Sequence, residues 1–307
     1  MKLRTLLISS AAAACALLGP ATLAQQSQPT PQKVQAVPAP MVAKPAMWKI
    51  ADSDTTIYLF GTIHLLPAGI EWFDGPVATA FEQSKELVTE IPETSEGQSI
   101  NVMLKYGMLP PGQTLRAQMT AEERTKYEGA MARLSLPPGS FDRYKPWLAA
   151  IVLAIMPLKE AGYSMENGIE NQLDKRNKAL GRPRSGLETL ENQLSIFDGF
   201  SPAVQKSYLF SVIDAMPTIT TDIDKMVQAW AKGDVEGLAA LLNDPTDDPA
   251  LYEALLSKRN KNWVVWLDKR MDQPGVVFVA VGAGHLGGKD SVQDLLTQDG
   301  IKVTRVQ

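Results

Sequence analysis

The segment Gly275-Val-Val-Phe-Val-Ala-Val281 is apolar without alternation. A strand that is apolar on both faces has to be covered on both faces, so it belongs inside a sheet with layers above and below. The other strand-like runs lie near the opposite end of the chain, at 48–50, 56–61 and 86–91. The first two flank Asp52-Ser53-Asp54 and read as a hairpin ending at Gly61. Asp74 and Pro76 open a helix over 74–83. From about 100 to 272 the pattern is mostly helical, with helices expected at 120–134, 146–162, 168–180, 202–214, 219–231, 234–242 and 248–271. A short strand at 184–187 precedes a further helix from near Glu188, and a helix at 290–298 and a strand at 302–306 close the chain. The expected fold class is therefore α/β, or α+β: a central mixed sheet built from N- and C-terminal strands, with a large helical middle section.

The N-terminus reads differently. Lys2 and Arg4 precede an apolar stretch over 6–18, and small residues follow as far as Ala24, the pattern of a secretory signal peptide. Cys15 lies in that stretch, without the large aliphatic residue three positions earlier that a lipoprotein signal carries. Five prolines fall within 25–46, which keeps that segment out of a sheet interior. The expected organisation is a signal peptide at 1–24, a Pro/Gln-rich linker at 25–46, and one domain at 47–307 with a helical insertion at about 100–272. The uncharged run at 147–158 is too short to cross a membrane and reads as a buried helix. The expected location is periplasmic or secreted, with no transmembrane span in the mature chain.

Composition narrows the chemistry. Thirty Lys and Arg against 34 Asp and Glu leave no basic footprint for nucleic acid. One cysteine excludes a disulfide framework, a thiolate zinc site and an iron–sulfur cluster. Only two histidines remain, and they share a frame: Gly61-Thr-Ile-His64-Leu and Gly282-Ala-Gly-His285-Leu, each after an apolar strand. Ligands of open α/β sheets bind beyond the carboxyl ends of the strands, and glycine there permits a sharp turn or a close approach. Glu90 closes a third apolar strand, and Glu188 follows the 184–187 strand. Two imidazoles and one or two carboxylates at one edge suit a divalent metal, which lowers the pKa of bound water and polarises a carbonyl. A second carboxylate would then serve as general base. Taken singly, Glu90 is a salt-bridge partner and Glu188 a helix N-terminal acid. The stripe Glu166, Glu170, Asp174 reads as a solvated helix face. Gly282-x-Gly284-x-x-Gly287 has too little chain after it for a dinucleotide fold, and the acidic 243–248 loop lacks calcium spacing.

Tyr58-Leu-Phe-Gly-Thr-Ile-His64, Leu87-Val-Thr-Glu90, Gly186-Leu-Glu-Thr-Leu-Glu-Asn-Gln193, Arg259-Asn260 with Trp263, and Val277 through His285-Leu resemble the TraB/PrgY/GumN family over about 47–307. That family is similar to the Tiki metalloproteases, and the wider superfamily includes erythromycin-esterase-like hydrolases and haem-binding lipoproteins. The resemblance implies a hydrolase acting on a peptide or small-molecule substrate, with His64, Glu90 and His285 holding manganese, cobalt or zinc. Glu188, Gln193 and Arg259 match positions of the bacterial branch whose roles the resemblance does not assign; in a hydrolase Glu188 is the candidate base or further ligand and Arg259 the candidate for stabilising an oxyanion. Two alternatives stand beside it: a metal-free esterase-like hydrolase with one histidine as base, and a non-enzymatic protein that binds haem or a peptide signal.

Overall fold

A computed structural model describes residues 41–242 and 249–307. The signal peptide, most of the linker and the acidic 243–248 loop lie outside the described residues. The strands in chain order are β1 (Met41–Val42), β2 (Met47–Ala51), β3 (Thr55–Thr62), β4 (Ile70–Glu71), β5 (Glu86–Thr89), β6 (Arg184–Gly186), β7 (Gly275–Gly282) and β8 (Val303–Arg305). Six of them form one sheet in the order β6-β5-β7-β3-β2-β8. The first four run parallel, β2 is antiparallel to β3, and β8 is antiparallel to β2. This is the mixed sheet that the two ends of the sequence imply, with β7 in its interior.

The apolar run of β7 is divided between two cores. Phe278 and Ala280, with Phe60 of β3 and Leu87 of β5, face the larger helical core. Val277, Val279 and Val281, with Ile57, Leu59 and Val88, face the opposite side, where Trp263, Val264 and Leu267 pack. Period-2 alternation within an unbroken apolar run means that each face meets its own layer. The helix Pro146–Glu160 is buried from Trp147 to Ile151 and from Leu153 to Ile155, and it packs against Pro202–Ala215 and Ile219–Ala231. Among the described residues no helix is long and apolar enough to cross a membrane.

Register sets the functional edge. Thr62 stands opposite Gly282, Thr89 opposite Ala280, and Gly186 opposite Thr89. The four parallel strands therefore end at one level, and His64, Glu90, Glu188 and His285 all follow those ends. Three differences from the expected boundaries bear on how the domain is built. β5 ends at Thr89, because the Thr89 hydroxyl donates to the Ile91 carbonyl (2.6 Å) and turns the chain. Residues 41–46, expected to finish the linker, belong to the domain: β1 pairs with β4, Ala43 is buried, and the Lys44 amide donates to Ala231 (2.7 Å). The helical stretch before Met271 includes a π-helical turn, Glu253–Ser257, which a 3.6-residue period does not reveal.

Gly168, at the start of the helix Ile169–Ala179, locks that helix to the end of β3. The Ile169 amide donates to Ile63 (3.1 Å), and a Cβ at Gly168 would stand 2.1 Å from the His64 carbonyl oxygen. Backbone has to move to relieve such a clash. Gly168→Ala is expected to lose about 1–3 kcal/mol in denaturant unfolding. Gly97→Ala, in a helix with nothing near its Cβ, should be neutral to stabilising. Equal stability of Gly168→Ala and the parent would contradict the close approach.

Candidate functional site

Arg259 is almost fully buried, at 4% exposure, on the helix Lys258–Met271 immediately after the π turn. A guanidinium has five donors and no acceptor, so burial requires acceptors around it. Nη2 donates to Glu90 Oε2 (2.6 Å), and Nε donates to Glu188 Oε1 (2.9 Å), an oxygen that Nη2 also contacts. Nη1 donates to the Leu255 carbonyl (3.1 Å) and to His285 Nε2 (3.0 Å).

That last contact determines the state of His285. Its Nε2 has to accept, so the proton is on Nδ1, which donates to Asn260 Oδ1 (2.6 Å). Asn260 is itself held through Nδ2 on the Asp290 carbonyl (2.8 Å). Burial, reinforced by the Arg259 charge, pushes the His285 pKa down to about 3. Trp263 covers the ring at a centroid distance of 4.3 Å. His285 is a neutral imidazole with both nitrogens engaged.

Glu90 joins this network to the remainder of the site. Its Oε1 accepts from the Gly282 amide (2.8 Å), and its Oε2 accepts from Arg259 and from Gln193 Nε2 (2.9 Å). Gln193 also donates to Glu188 (2.9 Å). Burial is the largest single influence and raises the Glu90 pKa, but Arg259, the neighbouring histidines and the Gly282 amide together outweigh it and hold it at about 2. A Cβ at residue 282 would lie 3.0 Å from Glu90 Oε1, and one at residue 61 would lie 3.1 Å from Ala283. Each glycine of the repeated frame thus stands at a close approach.

His64 has different partners. Its Nδ1 is 2.7 Å from Glu170 Oε1, and the Thr62 hydroxyl donates to the same oxygen. Burial lowers the pKa of His64, but the charge and hydrogen bond of Glu170 outweigh it and hold it above the ordinary imidazole value. His64 Nε2 and Glu170 Oε2 are both buried without a hydrogen-bond partner. Both residues line a cavity of about 90 Å³ with Thr89, Glu90, Met165 and Asn171. A water needs roughly 10–15 Å³ of such space, so a small group fits.

A family model for the TraB/PrgY/gumN family matches residues 46–305. The chain belongs to the TraB/PrgY/gumN family. A relative from Treponema pallidum (strain Nichols), described as "Uncharacterized protein", is 21% identical over 278 residues, covering 81% of this chain and 79% of its own length. No solved structure matches the chain.

Within this TraB/PrgY/gumN domain the expected site residues are brought to one edge but are engaged differently. Among the described residues, no group of three His, Cys, Asp or Glu is arranged to hold a metal ion. Metal ligation needs free lone pairs, and both ring nitrogens of His285 are already committed. Of the three expected ligands, His64 alone presents an unpartnered atom, so the donor set as arranged does not fit a metal held by His64, Glu90 and His285. Arg259 does not face the cavity as an oxyanion donor; each of its nitrogens already has a protein acceptor. Glu188 is not a helix N-terminal acid. It precedes the Thr189 cap, and Arg259 and Gln193 hold its Oε1. Glu170 is absent from the sequence-based site. The stripe read as solvated is exposed only at Glu166; the side chain of Glu170 is 17% exposed and that of Asp174 is 15% exposed.

Removing one partner of a buried ion pair leaves an uncompensated charge. Arg259→Met is expected to cost about 3–5 kcal/mol in denaturant unfolding, and a loss under 1 kcal/mol would contradict the hub. His285 gives a pH signature. Its folded pKa, about 3, lies below the ordinary 6.5, so between these values the unfolded chain binds a proton that the folded chain does not. Stability should fall as pH drops from 6.5 to 5, by up to about 1.4 kcal/mol per unit from this group. In that range Glu90 stays ionised in both states, since its stabilisation is lost only as pH falls from 4.5 toward about 2.

Proposed function

We propose that the protein is an exported hydrolase in which His64 moves the proton. The observation that carries this is the single free ring nitrogen. His64 Nδ1 is fixed by Glu170, while Nε2 is buried and unpartnered in a side chain that lines the cavity. An imidazole oriented by a carboxylate, with its other nitrogen free, is the arrangement of a general base. In this reading His64 Nε2 takes a proton from a water held in the cavity. The water oxygen bonds to the substrate carbonyl carbon. The bond from that carbon to the leaving group breaks as the proton passes from His64 to the departing atom. Water and one acyl compound give one acid and one protonated leaving group, with no other reactant required. Glu90, held ionised by Arg259, adds negative charge beside the imidazolium as it forms.

The N-terminal run of Lys2, Arg4 and the apolar stretch to Leu18, followed by small residues to Ala24, supports export. Membership of the TraB/PrgY/gumN family supports a shared site without naming its substrate.

Cleavage of peptide and ester libraries by the purified chain tests the reading. Activity should survive exhaustive chelation and fall about 10²–10⁴-fold in His64→Gln. Loss on chelation with recovery on adding manganese, cobalt or zinc would overturn the metal-free step. The base form of His64 is needed, and its pKa is raised, so the rate should rise with pH along a limb whose midpoint lies above 6.5. A limb centred below 6.5 would contradict the Glu170 partnership.

A further inference from the structure

A general base at His64 accounts for one of two unpartnered atoms, His64 Nε2 and Glu170 Oε2, on side chains that line the cavity, and leaves the other unexplained. Glu170 Oε2 is buried with no donor in reach, although the other oxygen of the same carboxylate takes both the Thr62 hydroxyl and His64 Nδ1. A buried acceptor without a donor costs about 1–3 kcal/mol, and more when it is charged, so a bound group that supplies the donor relieves that cost. Inside the cavity the protein supplies none. The Asn171 amide nitrogen is turned to the Met165 carbonyl (2.6 Å). The Arg184 guanidinium is drawn to Asp174 (2.8 Å), Thr89 (3.1 Å) and Ile91 (3.3 Å).

We propose that Glu170 Oε2 is a specificity-determining acceptor: the cavity takes a small group bearing an N–H donor, an amide or an amine, and discriminates against esters. This rests on the reading of His64 as the working group of the same cavity, which fixes where the substrate lies. An ester offers carbonyl and ether oxygens, both acceptors, so it leaves Oε2 bare. An amide or ammonium places N–H against it. Sites built to pair a substrate's donor reject the analogue that lacks it far more strongly than they reject a change of one methylene. The cavity, about 90 Å³, has room for a group the size of an amide or a small amine.

Acetamide, methylammonium and methyl acetate test this on the whole chain. All three are small enough to enter the cavity, and binding is read by ligand-observed saturation transfer together with shifts of the His64 ring signals. Acetamide or methylammonium should bind about ten- to a hundredfold more tightly than methyl acetate, the range of one hydrogen bond to a charged group. Which of the two binds better tells an amide site from an amine site. In Glu170→Gln that preference should shrink at least severalfold. Because the wild-type comparison needs no variant, a misfolded Glu170→Gln leaves the test intact. Equal binding of methyl acetate, or no binding by any probe, overturns the proposal. It remains separable from the hydrolase reading. His64-dependent cleavage of esters with no amide or amine preference would sink this inference alone, whereas a clear preference without any turnover would sink the hydrolase alone.

Discussion

The Arg259–Glu90 ion pair holds the functional edge together. Glu90 follows β5, Gly282 closes β7, Glu188 follows β6, and Arg259 comes from a helix on the opposite core; one guanidinium and one carboxylate join all four. A buried ion pair contributes little net stability against an apolar alternative, because desolvation offsets most of the attraction. Its value here is positional. It fixes an ionised Glu90 on the cavity wall, and it imposes a neutral tautomer on His285 by giving Nε2 a donor it cannot refuse.

Two histidines with the same local sequence thus acquire opposite characters. Both follow a parallel strand and a glycine, and the leucine after each enters a different core: Leu65 joins the larger one and Leu286 the smaller. The chain leaves the sheet toward opposite faces at the two strands. On one face the neighbour is Arg259, which drives imidazole neutral. On the other it is Glu170, which favours imidazolium and leaves Nε2 without a protein partner. The repeated frame builds an asymmetric site, with one working histidine and one that is part of the scaffold.

Much of this was legible from residues alone. The unbroken apolar run of β7, the hairpin of β2 and β3, and the boundaries of helices such as Pro202–Ala215 and Ile219–Ala231 follow from periodicity and turn chemistry. So does the convergence of His64, Glu90, Glu188 and His285, because parallel strands present their carboxyl ends together. What periodicity does not encode is which donor meets which acceptor across the sheet. An acid at helical spacing from two other acids looks the same whether its face meets solvent or a strand end, and Glu170 was hidden by that ambiguity. Gly168 is the clue in retrospect: a glycine at a helix start leaves the room that lets the helix press on His64. Arg259 was visible as a site residue, but its role depends on four acceptors contributed by three separate segments and the π turn before its helix.

The chain has only two histidines, so the difference in their character can be read directly from the imidazole ring nitrogens by NMR across a pH titration. One ring should remain neutral with its proton on Nδ1 down to about pH 3, as Arg259 and burial require of His285. The other should protonate with a midpoint above 6.5, as Glu170 requires of His64. Two rings titrating together near the ordinary imidazole value, or a His285 protonated on Nε2 at neutral pH, would contradict the division between a working and a scaffold histidine on which the account rests.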